Sequence, residues 1–274
     1  MSDSTGRYMF AGHAIGAQVR FHRLDDASVN EVVPAVASTA LAGTGGKSES
    51  RLPSPYRYDV DHPRRRCLLE VEQAHSWVEG RDPEARFETE FGVDVAGVHV
   101  LEKLHIDSVS LHVLAVRRGL TGTAEVSTRG SRVEGLRMGN VTARIEFDDE
   151  PLTFTGSKDR IAEFYRSRDS EYRRQNRWRY YTNDDGSELA DDHEHHRFTL
   201  VRHIELTGPE EEKQWIEVTG NRIYWRGFGR IILGEVHVKG CDRRVTLVRL
   251  AMGSDGGGSG STGSGGSNGT GTTG

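Results

Sequence analysis

Short runs of β-branched and aromatic residues, each cut off by Gly, Asp or Asn, recur along most of the chain. That rhythm belongs to strands rather than helices. Fourteen such runs can be marked: Tyr8–Ile15, Ala17–Leu24, Arg66–Val78, Arg86–Val95, Val98–Ile106, Val109–Arg117, Ala124–Thr128, Val141–Phe147, Leu152–Thr155, Arg197–Leu206, Trp215–Val218, Arg222–Trp225, Arg230–Val238 and Arg244–Leu250. In Arg144-Ile145-Glu146-Phe147 polar and apolar residues alternate, which gives the sheet one wet face and an antiparallel character. Helical stretches do not alternate with the strands, which disfavours parallel βαβ units. The expected fold is mainly β, an antiparallel sandwich or barrel.

One helix interrupts this background. With Ser157 as N-cap, Ile161, Phe164, Tyr165, Arg168 and Tyr172 follow at spacings of three and four, which predicts an amphipathic helix over 158–174. Residues 31–41 resist assignment, because Pro34 and the β-branched Val32, Val33 and Val36 oppose a helix that the alanines mildly favour. Two long connections are expected as loops, Ala42–Pro63 and the acidic Thr182–Glu194. The last 22 residues, Gly253–Gly274, hold 11 glycines and no apolar side chain. Such a segment has nothing to offset the entropy of ordering it, so a disordered tail is expected.

The β-rich region is therefore 8–252. An ungapped alignment of Leu101–Arg118 with Leu233–Leu250 matches Leu101 with Leu233, His105 with His237, Val113 with Val245, Val116 with Val248 and Arg117 with Arg249. If that repeat is real, two related β-lobes, 8–156 and 195–252, are joined by the helix and the acidic loop over 157–194. Any two stretches of period two share apolar positions, however, and then one large sandwich or barrel remains.

The net charge of -5 over 274 residues disfavours a uniformly basic nucleic-acid binder without excluding a local patch. Only two cysteines occur, Cys67 and Cys241, which is no disulfide framework. The first residues lack the layout of a signal peptide and no apolar run is long enough to span a bilayer. A cytoplasmic protein with no membrane partner is the expectation.

The sharpest chemical feature is Asp191-Asp192-His193-Glu194-His195-His196. Imidazoles and carboxylates suit a divalent transition metal, and on a strand His193 and His195 share a face, so His193, His195, His196 and Asp192 are the candidate ligands. The helical spacing of a zinc protease is absent, and a cupin-like set needs a Glu where Thr199 and Leu200 stand. A solvated loop entering a strand explains the same residues without a cofactor.

Other constellations are weaker. His105, Asp107 and Ser110 form a triad only on paper, since all three come from one short segment. Asp148-Asp149-Glu150-Pro151 has the composition of a turn rather than of paired glycosidase acids. Gly43-Thr44-Gly45-Gly46-Lys47-Ser48 resembles a phosphate loop in composition alone, and a mobile loop is expected there. Arg226-Gly227-Phe228-Gly229-Arg230 begins like an RNA-recognition strand, but a bend between two strands explains it with less.

Lys158–Tyr181 carries eight basic and four acidic residues, with Tyr172, Trp178, Tyr180 and Tyr181 interleaved. Arginine forks and stacking rings suit a nucleic acid or a protein partner, and the candidate contacts are Arg173, Arg174, Arg177, Trp178 and Arg179. The following Thr182–Glu194 holds six acids and no base, so the two stretches can neutralise each other. No recognised catalytic constellation survives. The reading is a non-enzymatic interaction or assembly protein whose partner is another protein or a second copy. A metal-binding module or metal-dependent hydrolase is one alternative, and an RNA or single-stranded DNA binder is the other.

Overall fold

The computed structural model describes residues 7–24, 27–60, 66–84, 86–120, 123–156, 158–167, 195–239, 242–252 and 259–272. Two antiparallel sheets carry the fold. The first has eight strands in the order β13 (Ile216–Thr219), β14 (Arg222–Trp225), β15 (Gly229–Lys239), β16 (Asp242–Met252), β17 (Ser259–Thr272), β1 (Arg7–Leu24) and β2 (Ala27–Ala40), with β11 (His195–Thr199) also pairing β15. The second has nine, in the order β12 (Val201–Thr207), β10 (Val141–Phe147), β9 (Leu136–Met138), β7 (Leu104–Arg118), β6 (Arg86–Val100), β5 (Arg66–Arg81) and β3 (Gly46–Arg51), with β4 (Tyr56–Val60) also on β5 and β8 (Ala124–Glu134) also on β7. The mainly β, antiparallel expectation is met.

Alternation explains the layering. Along β6, Phe87, Thr89, Phe91, Val93 and Val95 are buried while Glu88, Glu90 and Asp94 lie on the other face, as a strand of period two requires. The sheets come unusually close beside β1, where Ala14 and Gly16 are buried and a Cβ on Gly16 would stand 2.9 Å from the Val36 carbonyl and 3.2 Å from Ala74. Tyr8 stacks on Phe87 with ring centroids 4.0 Å apart, and Phe10 meets Tyr8 edge-on at 4.9 Å, tying β1 to β6. At the opposite side one stretch of chain passes between the sheets. Leu200 separates β11 from β12, is fully buried, donates its N–H to the Gly234 carbonyl at 2.8 Å and accepts from the Asp148 N–H at 2.7 Å.

Several expectations are corrected. Tyr8–Ile15 and Ala17–Leu24 are one strand, β1, and the unassigned 31–41 falls largely in β2. The Ala42–Pro63 loop contains β3 and β4, both paired with β5. Gly43–Ser48 includes a tight turn, closed by the Gly45 N–H to the Ala42 carbonyl at 2.9 Å, with Gly45 at φ +82°. Leu152–Thr155 is not a strand, because Pro151 near its start favours the first turn of a short helix, α1 (Glu150–Thr153). The predicted helix is seen as α2 (Lys158–Ser167), with Ile161 and Phe164 buried, and 168–174 lies outside the described residues. A third helix, α3 (Glu210–Lys213), was not expected. No helix among the described residues is long and apolar enough to cross a membrane.

Ser259–Thr272 runs as β17 between β16 and β1, with Gly265 opposite both Ala14 and Val245. Backbone pairing needs no side chain, and composition alone does not register it. The two stretches of the suggested repeat also differ: 104–118 is the single strand β7, whereas Leu233–Leu250 spans parts of β15 and β16. Nor do the sheets divide at 157–194, since β1 and β2 share a sheet with β13–β16 while β12 pairs β10.

Candidate functional site

Two surfaces gather polar and aromatic side chains. The first is the outer face of β5, β6 and β7. Register sets His75, Asp94 and Ser110 in one row, Trp77, Gly92 and His112 in the next, and Glu79, Glu90 and Leu114 in a third. Gly92 makes room for the indole, because a Cβ there would fall inside the Trp77 ring. His75 stacks beside Trp77 at 4.9 Å, and His112 meets it edge-on at 4.7 Å. Asp94 Oδ1 accepts the Ser110 hydroxyl at 2.6 Å and lies 3.3 Å from His112 Nε2. Burial, and next the Arg51 charge, push the His75 pKa down, so this imidazole is neutral near pH 7.

A crease separates these rows from a second imidazole pair. At Glu72, Gly97 and Asp107 the inside–outside alternation inverts in all three strands at once, while the register on either side is kept. Gly97 takes φ +62°, a value suited to glycine. Beyond the crease, His105 Nδ1 lies 3.1 Å from His99 Nδ1, and His105 Nε2 lies 2.6 Å from Asp107 Oδ1. Arg137 donates to the same carboxylate oxygen at 2.8 Å. Two members of the paper triad, His105 and Asp107, are thus together, and the third is not, since Ser110 belongs to Asp94.

The second surface is the β13–β14 hairpin. Ile216, Ile223, Ile231 and Leu233 turn inward and are buried. The opposite face carries Trp215, Glu217, Arg222, Tyr224, Arg226 and Arg230, as follows from the pairing of Glu217 with Tyr224 and of Tyr224 with Arg230. Trp215 is 47% exposed and Tyr224 48%, and the Arg226 guanidinium sits 4.9 Å from the Trp215 ring centroid. Gly227-Phe228-Gly229 is the bend expected between strands, and Phe228 is buried against Trp225 at 4.9 Å rather than open for stacking.

Of the sequence candidates, Asp192 and His193 lie outside the described residues, as do Arg173, Arg174, Arg177, Trp178 and Arg179. His195 and His196 stand on β11 opposite Lys239 and Val238. Among the described residues no group of three or more His, Cys, Asp or Glu side chains is placed to hold a metal. Asp149 Oδ2 accepts from the Thr128 hydroxyl at 3.2 Å and the Ser131 N–H at 3.0 Å, which ties α1 to β8 and gives that acid a structural partner. Sequence reasoning missed Trp77 and Tyr224. The signal was present only as period two, and the rows they join depend on register.

Residues 8–214 match the family described as Domain of unknown function (DUF8256), and the chain belongs to it. No curated protein and no solved structure matches the chain.

Proposed function

We propose that the chain is a non-enzymatic interaction or assembly protein, and that its contact surface is the outer face of the β13–β14 hairpin, which follows the family-matched residues 8–214. The observation that carries this reading is the pair Trp215 and Tyr224, each about half exposed on one hairpin beside Arg226. Tryptophan, tyrosine and arginine are enriched among the residues that dominate binding energy at protein interfaces, and the two aromatics bury much area at little entropic cost. The long Ala42–Pro63 segment, expected as a loop, is partly occupied in β3 and β4. A reducing, cytoplasmic setting suits Cys67, a free and buried thiol whose pKa burial pushes up.

Self-association is the form of this reading to test first. Sedimentation velocity on the full chain over the micromolar range should show a concentration-dependent oligomer. The Trp215→Ser/Tyr224→Ser variant should stay monomeric, with the melting midpoint little changed because both side chains are exposed. A wild type that remains monomeric, and pulls down no partner that the double variant loses, overturns the reading.

A further inference from the structure

The indole of Trp77 rests in the gap that Gly92 leaves on β6, and the residues two positions to either side on the same face of that strand are Glu90 and Asp94. At about 3.4 Å per residue each carboxylate is rooted roughly 7 Å along the strand from the glycine under the ring. Among the described residues no lysine or arginine pairs with either acid. The neighbouring cations have their close ion pairs elsewhere: Lys47 with Glu49 at 3.1 Å, Arg81 with Glu79 at 2.6 Å and Arg86 with Glu88 at 3.0 Å, while Glu90 feels the Arg81 charge without a direct ion pair. Arg51 stands two strands away from Asp94, with His75 between them. An aromatic face flanked by two acids that no lysine or arginine pairs, Asp94 being held only by the Ser110 hydroxyl and by His112 Nε2 at 3.3 Å, suits a cation with a flat or apolar surface.

We propose that the Trp77–Glu90–Asp94 face of β5 and β6 is a docking site for an arginine side chain of a protein partner. A guanidinium stacks on an indole by its face and pairs with carboxylates by its edge, so both kinds of contact form at once. The neutral His75 beside Trp77 extends the aromatic surface without adding a competing charge. Neither Glu90 nor Asp94 is required by the core, since both lie on the outer face opposite Phe91 and Val93. The site is separate from the β13–β14 hairpin, and it stands or falls independently of the function proposed there.

The test is calorimetric titration of the full chain with N-acetyl-triarginine amide, in low and physiological salt. Saturable binding is expected, weakening as salt rises. The Glu90→Gln/Asp94→Asn variant, which keeps the shape and removes the charge, should lose at least tenfold in affinity with an unchanged melting midpoint. Trp77→Leu should lose a similar factor, and a folded circular-dichroism spectrum is the condition for counting it. The absence of saturable binding by wild type, or binding that survives the Glu90→Gln/Asp94→Asn change, overturns the proposal.

Discussion

At Gly92 a side chain as small as a methyl group would collide with a neighbour. A Cβ there falls within the Trp77 indole, so Gly92→Ala must displace the ring and the two histidines packed on it. Overpacking of this kind costs about 1–3 kcal/mol. Urea denaturation should therefore show a lower midpoint for Gly92→Ala with an unchanged slope, and a midpoint equal to wild type would mean that the ring moves aside freely. The relation was illegible in the sequence, because Trp77 and Gly92 meet only through the pairing of β5 with β6. The same holds for Ser110, which its neighbours in sequence suggest as a partner of His105 and which register hands to Asp94. What the residues did announce on their own was burial: the alternating positions of β6 and β7 that read as apolar are those that form the core.

Elements were legible where side chains carry them and hidden where the backbone does. Strands β5 to β7 are rich in Val, Leu and Phe, and their existence follows from pattern. Strand β3 draws on Ser and charged residues and β17 on Gly, Ser and Thr, and they are strands because a neighbouring edge offers hydrogen bonds, which no local propensity announces; in β2 the valines favoured a strand while Pro34 obscured it. For β17 this yields a sharp expectation. Removing 253–274 leaves the facing edges of β1 and β16 without a partner, and unpaired edges invite pairing with other chains. Truncation after Met252 should lower the melting midpoint and raise light scattering on storage, whereas an unchanged midpoint with no added scattering would return the segment to the role of a tail outside the fold.

For the whole molecule, the passage at Leu200 decides how the sheets are held together. One continuous stretch leaves β15 in the first sheet and joins β10 in the second, with Leu200 fully buried between them. Gly234, at φ +61°, lets that stretch approach, since a Cβ there would stand 3.1 Å from both Phe147 and Val201. Leu200→Ala should cost about 2–5 kcal/mol, as for other fully buried leucines, measured by equilibrium unfolding. A loss well below 1 kcal/mol would mean that the sheets are joined mainly elsewhere.

The placement of β17 also bears on how the chain acquires its shape. Arg7 pairs with Thr272 and Arg20 with Ser259, so β1 waits for a strand far from it in sequence. A chain emerging from a ribosome can complete the β5–β8 meander from neighbours in sequence, but β1 has only β2 beside it until β17 has been made. Contacts of such long range close slowly. During that interval the bare flank of β1 is the place where a nascent chain is exposed to mispairing and where a chaperone has something to hold.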